Sequence, residues 1–354
     1  MNGSSYHVLD RPPTPLEFAR LVHLSRPVVI RGISYELHWV SLERLTRCFS
    51  GIECPALTKW TDDYLVQMMG DQSISVAVTP NGRADAVTRA PDGKLYFAEP
   101  FIDSMTLRDL FEKLRSGDTN VYYLQSQNGN LYSQYFFSDG EDVSEFASLR
   151  ADVPPEVDFV RDALGSSPDH HHVLQPLRDC VDRTPDAVNL WIGSSDSVTS
   201  IHSARRLLRE HVHCRPWYQT FHIVTTKRGM VFGRSCATHA IIVALLTKVE
   251  RLYPHAVYTR ADATGELYLL PSHEASPVRW SSVSDPDLAD ALPPEAHPIQ
   301  ITLTAGDTLY LPVGWWHFVR QSGDVTIALN WWYDAELEGV NWVWLNMLRG
   351  DHVP

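Results

Sequence analysis

Two histidines far apart in the chain lie in segments whose composition is typical of β-strands. His317 lies in the run LYLPVGWWHFVRQSGDVTIALNWWYD (309–334), and His202 lies in VTSIHS (198–203). Histidines on separate strands of a β-barrel can form two-thirds of a facial iron site, which also needs an Asp or Glu close to the first histidine. Here His202 is followed by Ser203 and Ala204. The sequence therefore predicts a metal site with two nitrogen ligands and no carboxylate at the expected place.

Composition narrows the class of protein. The chain of 354 residues has a formal net charge of -13 and no sustained block of lysine or arginine, which argues against a nucleic-acid footprint or an anionic membrane surface. No apolar run approaches the ~20 residues that span a bilayer, and no signal-like segment opens the sequence. The five cysteines are widely spaced without a CxxC pair, so neither a disulfide framework nor a zinc site is indicated. We expect reduced thiols and a cytoplasmic or nuclear location.

The elements expected to position these histidines are mostly short strands. Thr14 followed by Pro15 predicts the start of a helix, and helical spacing also marks 42–49 and 105–114. Strand-like runs bounded by turn residues occur at 27–32, 73–79, 121–125, 187–191, 198–202, 257–259, 266–270, 300–304, 308–311, 317–320 and 325–332. Such a series favours a barrel or a sandwich. We expect an N-terminal extension over 1–120, the barrel over 121–335 and a C-terminal helix over 336–354.

Several motifs together resemble those of the Jumonji-C (cupin-type) Fe(II)- and 2-oxoglutarate-dependent oxygenases. They are TSIH (199–202), GDTLYLP (306–312), WH (316–317) and ALNWWYD (328–334), supported by RPPTPLEF (11–18), SRPVVIRG (25–32), VAVTPNGRADAV (76–87), YLQ (123–125) and PDAVNLWIG (185–193). The resemblance covers nearly the whole chain outside about 204–250. It implies a mainly β (α+β) fold, with a double-stranded β-helix core of the cupin or jelly-roll type and flanking N- and C-terminal helices.

The resemblance also implies roles for individual residues. His202 and His317 match the two histidine ligands of Fe(II). Thr199, Tyr123 and Asn330 match positions that hydrogen-bond 2-oxoglutarate, and Trp332 matches an aromatic wall of the pocket. Each has an alternative interpretation, because a buried hydroxyl or amide can satisfy a barrel hydrogen bond and a tryptophan can belong to the core.

The chain departs from the family pattern directly after His202. The family continues as H-x-D-x-Y-E-N and then G-x-K-H-F, whose lysine binds the far carboxylate of 2-oxoglutarate, whereas this chain reads HSARRLLREHVHC (202–214). Both the metal carboxylate and the lysine are missing. Iron held by two neutral imidazoles and water would bind more weakly, so we expect impaired turnover.

A shift of reading frame explains the departure. Synonymous codons for 207–214 permit YYENMYTV one base later, and the same shift through 215–222 permits GTKHF. We hypothesise that about 204–232 is translated out of frame, that 233–249 is retained intron, and that the family frame returns near 250. Arginines at 205, 206 and 209 would be costly inside a barrel, so we expect a core disrupted at about 204–249, with a helix conceivable at 241–246.

These observations lead to three hypotheses about the function of the protein. The first is a protein hydroxylase, lysyl in preference, acting on a protein substrate for which a GTPase is a candidate; demethylation is known among relatives of this kind. The second is an inactive cupin-like binding protein or the product of a mis-spliced gene model. The third is an Fe(II) halogenase, in which chloride replaces the carboxylate. The aromatic segment 340–348 makes a homodimer plausible, while the histidines at 170–172 and the His and Cys residues of 211–239 have spacings that fit no metal site.

Overall fold

A computed structural model describes residues 5–31, 54–125, 131–132, 144–160, 185, 187–203, 218–225, 239–244, 246, 249–312 and 314–334. The helices are α1 Pro15–Leu24, α2 Ala56–Lys59, α3 Asp62–Met69 and α4 Leu107–Arg115, with a 3-10 helix at Ala147–Asp152. The strands are β1 His7–Leu9, β2 Val28–Ile30, β3 Ser73–Thr79, β4 Arg83–Ala84, β5 Ala86–Arg89, β6 Leu95–Glu99, β7 Phe101–Thr106, β8 Val121–Gln125, β9 Ala187–Gly193, β10 Val198–Ser203, β11 Tyr218–Thr225, β12 His239–Ala244, β13 Glu250–Tyr253, β14 His255–Arg260, β15 Leu267–Pro271, β16 Val278–Ser281, β17 Ile299–Leu303, β18 Thr308–Leu311, β19 Trp316–Gln321 and β20 Thr326–Asp334.

Helix α1 begins where the sequence predicts it. Thr14 is the N-cap and forms a capping box with Glu17, and Pro15 takes the first helical position, where its missing N–H costs nothing. Phe18 is buried and packs edge-on against Phe159 and Tyr310, each at 5.2 Å between ring centroids. The helix is thereby fixed to β18.

Two sheets form the body of the fold. The larger has nine strands in the order β1-β2-β18-β11-β20-β9-β8-β3-β7, and the smaller has five in the order β17-β12-β19-β10-β4. A buried apolar cluster joins their facing sides, with Val29 and Leu309 from the larger sheet against Ile241, Val243 and Val319 from the smaller. This sandwich of mostly antiparallel sheets is the cupin or jelly-roll core that the sequence predicts. Two further sheets, β13-β16 and β15-β14-β6-β5, lie beside it.

The other face of the larger sheet packs against the helices. Leu190 and Trp331 of the sheet share one core cluster with Leu65 of α3 and with Leu110 and Phe111 of α4. Because the residues on β8, β9 and β20 alternate, the side chains between those in this cluster point the opposite way, towards the smaller sheet. Alternation therefore decides which residues face the space between the sheets.

The segment in which we expected a disrupted core supplies two strands. Strand β11 lies between β18 and β20, and β12 lies between β17 and β19. Residues 241–246, considered as a helix, instead contribute to β12 up to Ala244, because the β-branched residues of HAIIVA pair with strands on both sides and are buried. Both sheets are therefore continuous at these strands, contrary to our expectation of a loop or an open barrel.

Most other predicted strands are confirmed to within a few residues, and the predicted helix at 105–114 begins later than expected. Thr106 caps α4 through a capping box with Asp109, while Met105 belongs to β7 and pairs with Ile74. The helices predicted at 42–49 and 336–354 lie outside the described residues. Within the described part of the chain, no helix has the length and apolar character needed to cross a membrane.

Candidate functional site

The two histidines singled out by the sequence lie side by side on the smaller sheet. Strands β10 and β19 are antiparallel neighbours, and His202 is paired directly with His317. Their ring centroids are 4.1 Å apart, with 57° between the ring planes. Both are buried, at 3% and 4% exposure. The structure therefore brings together two imidazoles from positions 115 residues apart in sequence (317 minus 202).

A β-bulge makes this arrangement possible. Thr199 pairs with Val319 and His202 with His317, so three steps along β10 match two along β19. In a regular strand, residues three apart point to opposite faces. The extra residue restores Thr199 and His202 to the same face, while Val198 and Ile201 join a separate core cluster on the other side. The bulge therefore points both side chains into the space between the sheets.

The hydrogen bonding of His202 fixes which ring nitrogen is available. Its Nδ1–H donates to the backbone carbonyl of Ser200 at 2.7 Å, so in the neutral ring the lone pair is on Nε2. Nε2 is buried and has no hydrogen-bond partner among the described residues. Burial lowers the pKa of His202 to about 4, against the smaller opposing effect of the Ser200 carbonyl. His202 is thus neutral at pH 7 with an unused acceptor, as a metal-ligating histidine should be.

The larger sheet supplies the opposite wall. Tyr122 and Leu124 lie in the helix-side cluster, so Tyr123 points towards the smaller sheet, where its hydroxyl and that of Thr199 are 3.1 Å apart. On β20, the neighbours of Asn330 and Trp332 lie in the same helix-side cluster, so these two side chains also point inwards. The structure therefore places Thr199, Tyr123, Asn330 and Trp332 on the walls of one space, with Tyr123 and Thr199 in contact across it.

Two wall residues were missed by reasoning from the sequence. Asn189 is paired with Asn330 across β9 and β20, and Trp191 packs against Tyr123 with ring centroids 5.9 Å apart. The Oδ1 atoms of both asparagines and Nε1 of Trp191 are buried without a hydrogen-bond partner among the described residues. Alternation in the motif NLW (189–191) was the signal that could have found them. Because buried polar atoms usually have a hydrogen-bond partner, this wall is suited to a polar ligand or to ordered water.

An aromatic layer covers one face of the His202 ring. Trp280 stacks on His202 at 6.1 Å between ring centroids and 22° between planes, and Phe97 packs on Trp280 at 4.8 Å. Next to Phe97, Nε2 of His255 lies 3.3 Å from a carboxylate oxygen of Glu99. Trp280 and Phe97 therefore cover one face of the His202 imidazole.

Among the residues that the structure describes, the donor set fits two positions of a facial iron site and offers no third ligand. The described residues contain no group of three His, Cys, Asp or Glu side chains that could hold a metal ion. The position two residues after His202, where the family motif has its carboxylate, is Ala204, which offers no ligand atom. His202 and His317 therefore fit a divalent metal as a pair of imidazole nitrogen ligands.

A pair of histidines on neighbouring strands, facing the space between two packed β-sheets, is typical of a cupin-like domain. The family model described as "Cupin-like domain" matches residues 13–206 and 244–339. The chain belongs to this cupin-like family, within its Jumonji-C branch. The unmatched stretch 207–243 lies inside the segment where the sequence departs from the family motifs.

Curated relatives cover almost the whole chain. It is 30% identical to the "Bifunctional peptidase and (3S)-lysyl hydroxylase JMJD7" of Homo sapiens, over 93% of this chain and 84% of that protein. It is 28% identical to the "Lysine-specific demethylase JMJ32" of Arabidopsis thaliana, over 98% of this chain and 86% of that protein. The "JmjC domain-containing protein E" of Dictyostelium discoideum is 26% identical over 95% of this chain and 86% of its own length.

Proposed function

We propose that this chain derives from an Fe(II)- and 2-oxoglutarate-dependent oxygenase that hydroxylates a protein side chain, and that its turnover is impaired in the sequence as it stands. The observation that carries the proposal is the pairing of His202 with His317, with Nε2 of His202 buried and without a hydrogen-bond partner among the described residues. The Tyr123–Thr199 contact joins β8 to the strand that carries His202, and it supplies two hydroxyl groups for an acidic cosubstrate.

Each residue has a distinct role in this proposal. His202 and His317 would hold the metal through nitrogen, and Thr199, Tyr123 and Asn330 would hydrogen-bond 2-oxoglutarate. Trp332 would form the apolar wall. When bound, iron would activate dioxygen, which is the oxidant for hydroxylation, and 2-oxoglutarate would supply two electrons through its oxidative decarboxylation to succinate. The protein residues orient the cosubstrate, and the aromatic layer of Trp280 and Phe97 keeps water from His202.

Impairment follows from what is missing beside His202. Ala204 leaves the metal without an anionic ligand, and 202–222 contains no G-x-K-H-F lysine for the far carboxylate of 2-oxoglutarate. Residues that only hydrogen-bond to a metal ligand typically change metal affinity by roughly 10–100-fold. The loss of a residue that binds the metal directly should lower the affinity by at least as much. The failure of the family model to match 207–243 agrees with a segment read out of frame or retained from an intron.

The substrate class comes from the relatives. One is named as a lysyl hydroxylase and another as a lysine demethylase, so we propose a protein substrate modified at lysine, with hydroxylation preferred. A GTPase as substrate, a homodimer through 340–348 and a cytoplasmic or nuclear location remain parts of the proposal. The separation into an extension over 1–120, a barrel over 121–335 and a C-terminal helix likewise remains part of it.

A second candidate is an inactive cupin-like binding protein. Ala204 favours it, because a pocket without a complete metal site can retain a ligand without turning it over. The two candidates differ in what restoring one carboxylate should do.

The test is a comparison of the unaltered chain with Ala204→Asp. Conversion of 2-oxoglutarate to succinate is measured with added Fe(II), and metal affinity is measured by calorimetry with Mn(II). We expect slow or no turnover in the unaltered chain, and about tenfold tighter metal binding with measurable turnover in the variant. The variant His202→Ala in the Ala204→Asp background is the control and should abolish both gains.

Two results would contradict the proposal. Turnover by the unaltered chain at an ordinary rate of ~1 per second would show that it is not impaired. No gain in metal affinity with Ala204→Asp would favour the inactive binding protein. Sequencing the transcript across codons 200–255 tests the reading-frame hypothesis, since a transcript that encodes this sequence as written would refute it.

A further inference from the structure

A glutamine on the strand that carries His317 also faces the candidate site. Strand β19 pairs without irregularity with β12 from Trp316 to Gln321, so residues two apart on β19 point the same way. Val319 lies in the apolar cluster between the two sheets. His317 and Gln321, two residues to either side of Val319, therefore face the same space. Gln321 is buried, at 3% exposure.

The Gln321 side chain reaches across this space to the larger sheet. A Cβ atom added to Gly193 of β9 would lie only 2.8 Å from Oε1 of Gln321. The amide group therefore packs against the bare backbone of Gly193. The register of β8 and β9, continued by one residue, places Tyr123 opposite Gly193. Gln321 thus lies beside Tyr123, which belongs to the candidate cosubstrate site.

The Gln321 amide donates a hydrogen bond to the Tyr123 hydroxyl. Burial raises the pKa of Tyr123, and side-chain hydrogen bonds with Thr199 and Gln321 each act to lower it. A hydrogen bond that lowers the pKa of a phenol is one that stabilises the charged oxygen, so the neighbour is a donor. Oε1 of Gln321 is buried without a hydrogen-bond partner among the described residues, so Nε2 is the donating atom.

The two partners of the Tyr123 hydroxyl differ in their access to solvent. Thr199 is partly exposed, so the opening to solvent lies on its side, whereas Gln321 and Gly193 are buried. Water can therefore compete for the Thr199 hydroxyl more easily than for the Gln321 amide. A buried hydrogen bond is also stronger than one in contact with water. Gln321 is thus the partner able to hold the Tyr123 hydroxyl in one orientation before a ligand binds.

We infer that Gln321 is a positioning residue, which orients the Tyr123 hydroxyl so that its hydrogen is available to an acidic ligand between the sheets. A hydroxyl has one hydrogen and two lone pairs. Gln321 occupies one lone pair, and Thr199, at 3.1 Å, can donate or accept. When Thr199 donates, the Tyr123 hydrogen is left for the ligand. The inference rests on the proposed function, in which this ligand is 2-oxoglutarate.

The first test observes the Tyr123 hydroxyl in the full chain without metal or cosubstrate. Tyrosine labelled with ¹³C at Cζ gives an NMR signal for each tyrosine, and the signal lost in Tyr123→Phe belongs to Tyr123. We expect Gln321→Met, which keeps the length of the side chain and removes the donor, to shift this signal. Gln300→Met on β17 of the same sheet is the matched control, because Gln300 is exposed, and should leave the signal in place. Thermal unfolding of each variant verifies that the fold is retained.

A second variant displaces Gln321 without altering it. In Gly193→Ala the new methyl group would lie 2.8 Å from Oε1 of Gln321 and 2.7 Å from Oγ of Ser197. Both distances are shorter than packed atoms allow, so the Gln321 amide must move. We expect the Tyr123 signal to shift in this variant as well. Gly193→Ala therefore keeps the inference testable if Gln321→Met does not fold.

The second test measures what the orientation of the hydroxyl does for a ligand. Titration with 2-oxoglutarate and Mn(II), followed by quenching of tryptophan fluorescence, should show about threefold or weaker binding in Gln321→Met, as expected for one lost hydrogen bond. In the Tyr123→Phe background the same substitution should leave the affinity unchanged, because the hydroxyl through which Gln321 acts is absent. An equal loss in both backgrounds would show a merely structural role and overturn the inference.

An unchanged Tyr123 signal in both Gln321→Met and Gly193→Ala would also overturn the inference. Failure of the proposed function gives a different result. The unaltered chain would then fail to bind 2-oxoglutarate, while the Tyr123 signal would still shift in Gln321→Met. That outcome would leave the orientation of Tyr123 by Gln321 standing and refute the proposed cosubstrate site.

Discussion

At the scale of single residues, the contact between Tyr123 and Thr199 links the two sheets across the candidate site. The two hydroxyl oxygens are 3.1 Å apart, and burial raises the pKa of Tyr123 to about 12. Tyr123 therefore keeps its proton at neutral pH, and it can donate to a carboxylate. Thr199, which is partly exposed, lies nearer the opening.

We predict that Tyr123→Phe weakens binding of 2-oxoglutarate by at least about tenfold, because a hydrogen bond to a charged group contributes roughly 1.5–3 kcal/mol. Quenching of tryptophan fluorescence on titration with 2-oxoglutarate and Mn(II) measures the affinity. Tyr96→Phe is the matched control, since Tyr96 donates to Asp92 at 3.1 Å on the β5–β6 hairpin and should leave the affinity unchanged. Equal affinity for Tyr123→Phe and the unaltered chain would remove Tyr123 from the cosubstrate site.

The sequence predicted these residues unevenly. The two histidines and Tyr123 could be predicted, because each lies at a defined position in a short sequence motif that forms a strand. The bulge that turns Thr199 and His202 to one face depends on pairing with β19, more than a hundred residues away, and no local pattern in TSIH shows it. Asn189 and Trp191 required knowing which face of β9 the helices cover.

At the scale of elements, one buried carboxylate joins three helical segments. Asp152, at the end of the 3-10 helix, accepts from Lys59 Nζ at 2.7 Å, Trp60 Nε1 at 3.2 Å and the Tyr64 hydroxyl at 2.6 Å. Its side chain is 2% exposed, while that of Lys59 is 51% exposed. Burial alone would raise the pKa of Asp152, but the hydrogen bonds from Lys59, Tyr64 and Trp60 together lower it.

We predict that Asp152→Asn destabilises the fold by about 2–3 kcal/mol at pH 7. The substitution replaces one of the two carboxylate oxygens, which accept from three donors, by an amide nitrogen that can only donate. A lowered folded-state pKa means that the carboxylate stabilises the fold above its ordinary pKa of 3.8 and loses this effect as the pH falls further. The difference between variant and unaltered chain should therefore be constant from neutral pH to about 5 and narrow below about 4. Urea denaturation at several pH values measures it.

The control for this prediction is Asp92→Asn. Asp92 is on a hairpin turn with a side chain 45% exposed, and its carboxylate accepts from the Lys94 backbone and Tyr96. It should change the free energy of unfolding much less. A cost for Asp152→Asn no larger than for Asp92→Asn would show that the Asp152 contacts do not stabilise the packing of these helices.

Element types were predictable where the pattern was strong and local. The runs SISVAVT and TLYL are strands at the predicted residues, since β-branched and aromatic residues suit a buried pleated surface. IIVALL was ambiguous, because a short apolar run fits a buried helix or a buried strand equally well. Pairing with β17 and β19 decides the outcome, and that information lies elsewhere in the chain.

At the scale of the whole molecule, the two central sheets are completed by the segment that departs from the family. Strand β12 places Val243 directly beside His317, with no exposure to solvent, in the cluster between the sheets. Ile241, two residues earlier, lies in the same cluster. This segment therefore bears on both the stability of the core and the position of a candidate metal ligand.

We predict that Val243→Asp lowers the free energy of unfolding by about 3 kcal/mol or more, because it buries an unpaired charge in an apolar cluster. Urea denaturation followed by circular dichroism measures the loss. The control is Leu252→Asp on β13, the next strand in sequence, where the side chain is 61% exposed and the cost should stay within about 0.5 kcal/mol. If 204–249 instead loops away from the barrel, Val243→Asp would cost no more than Leu252→Asp. Equal costs would mean that 204–249 lies outside the barrel, as we expected from its out-of-frame sequence. His317 would then have no neighbour on β12.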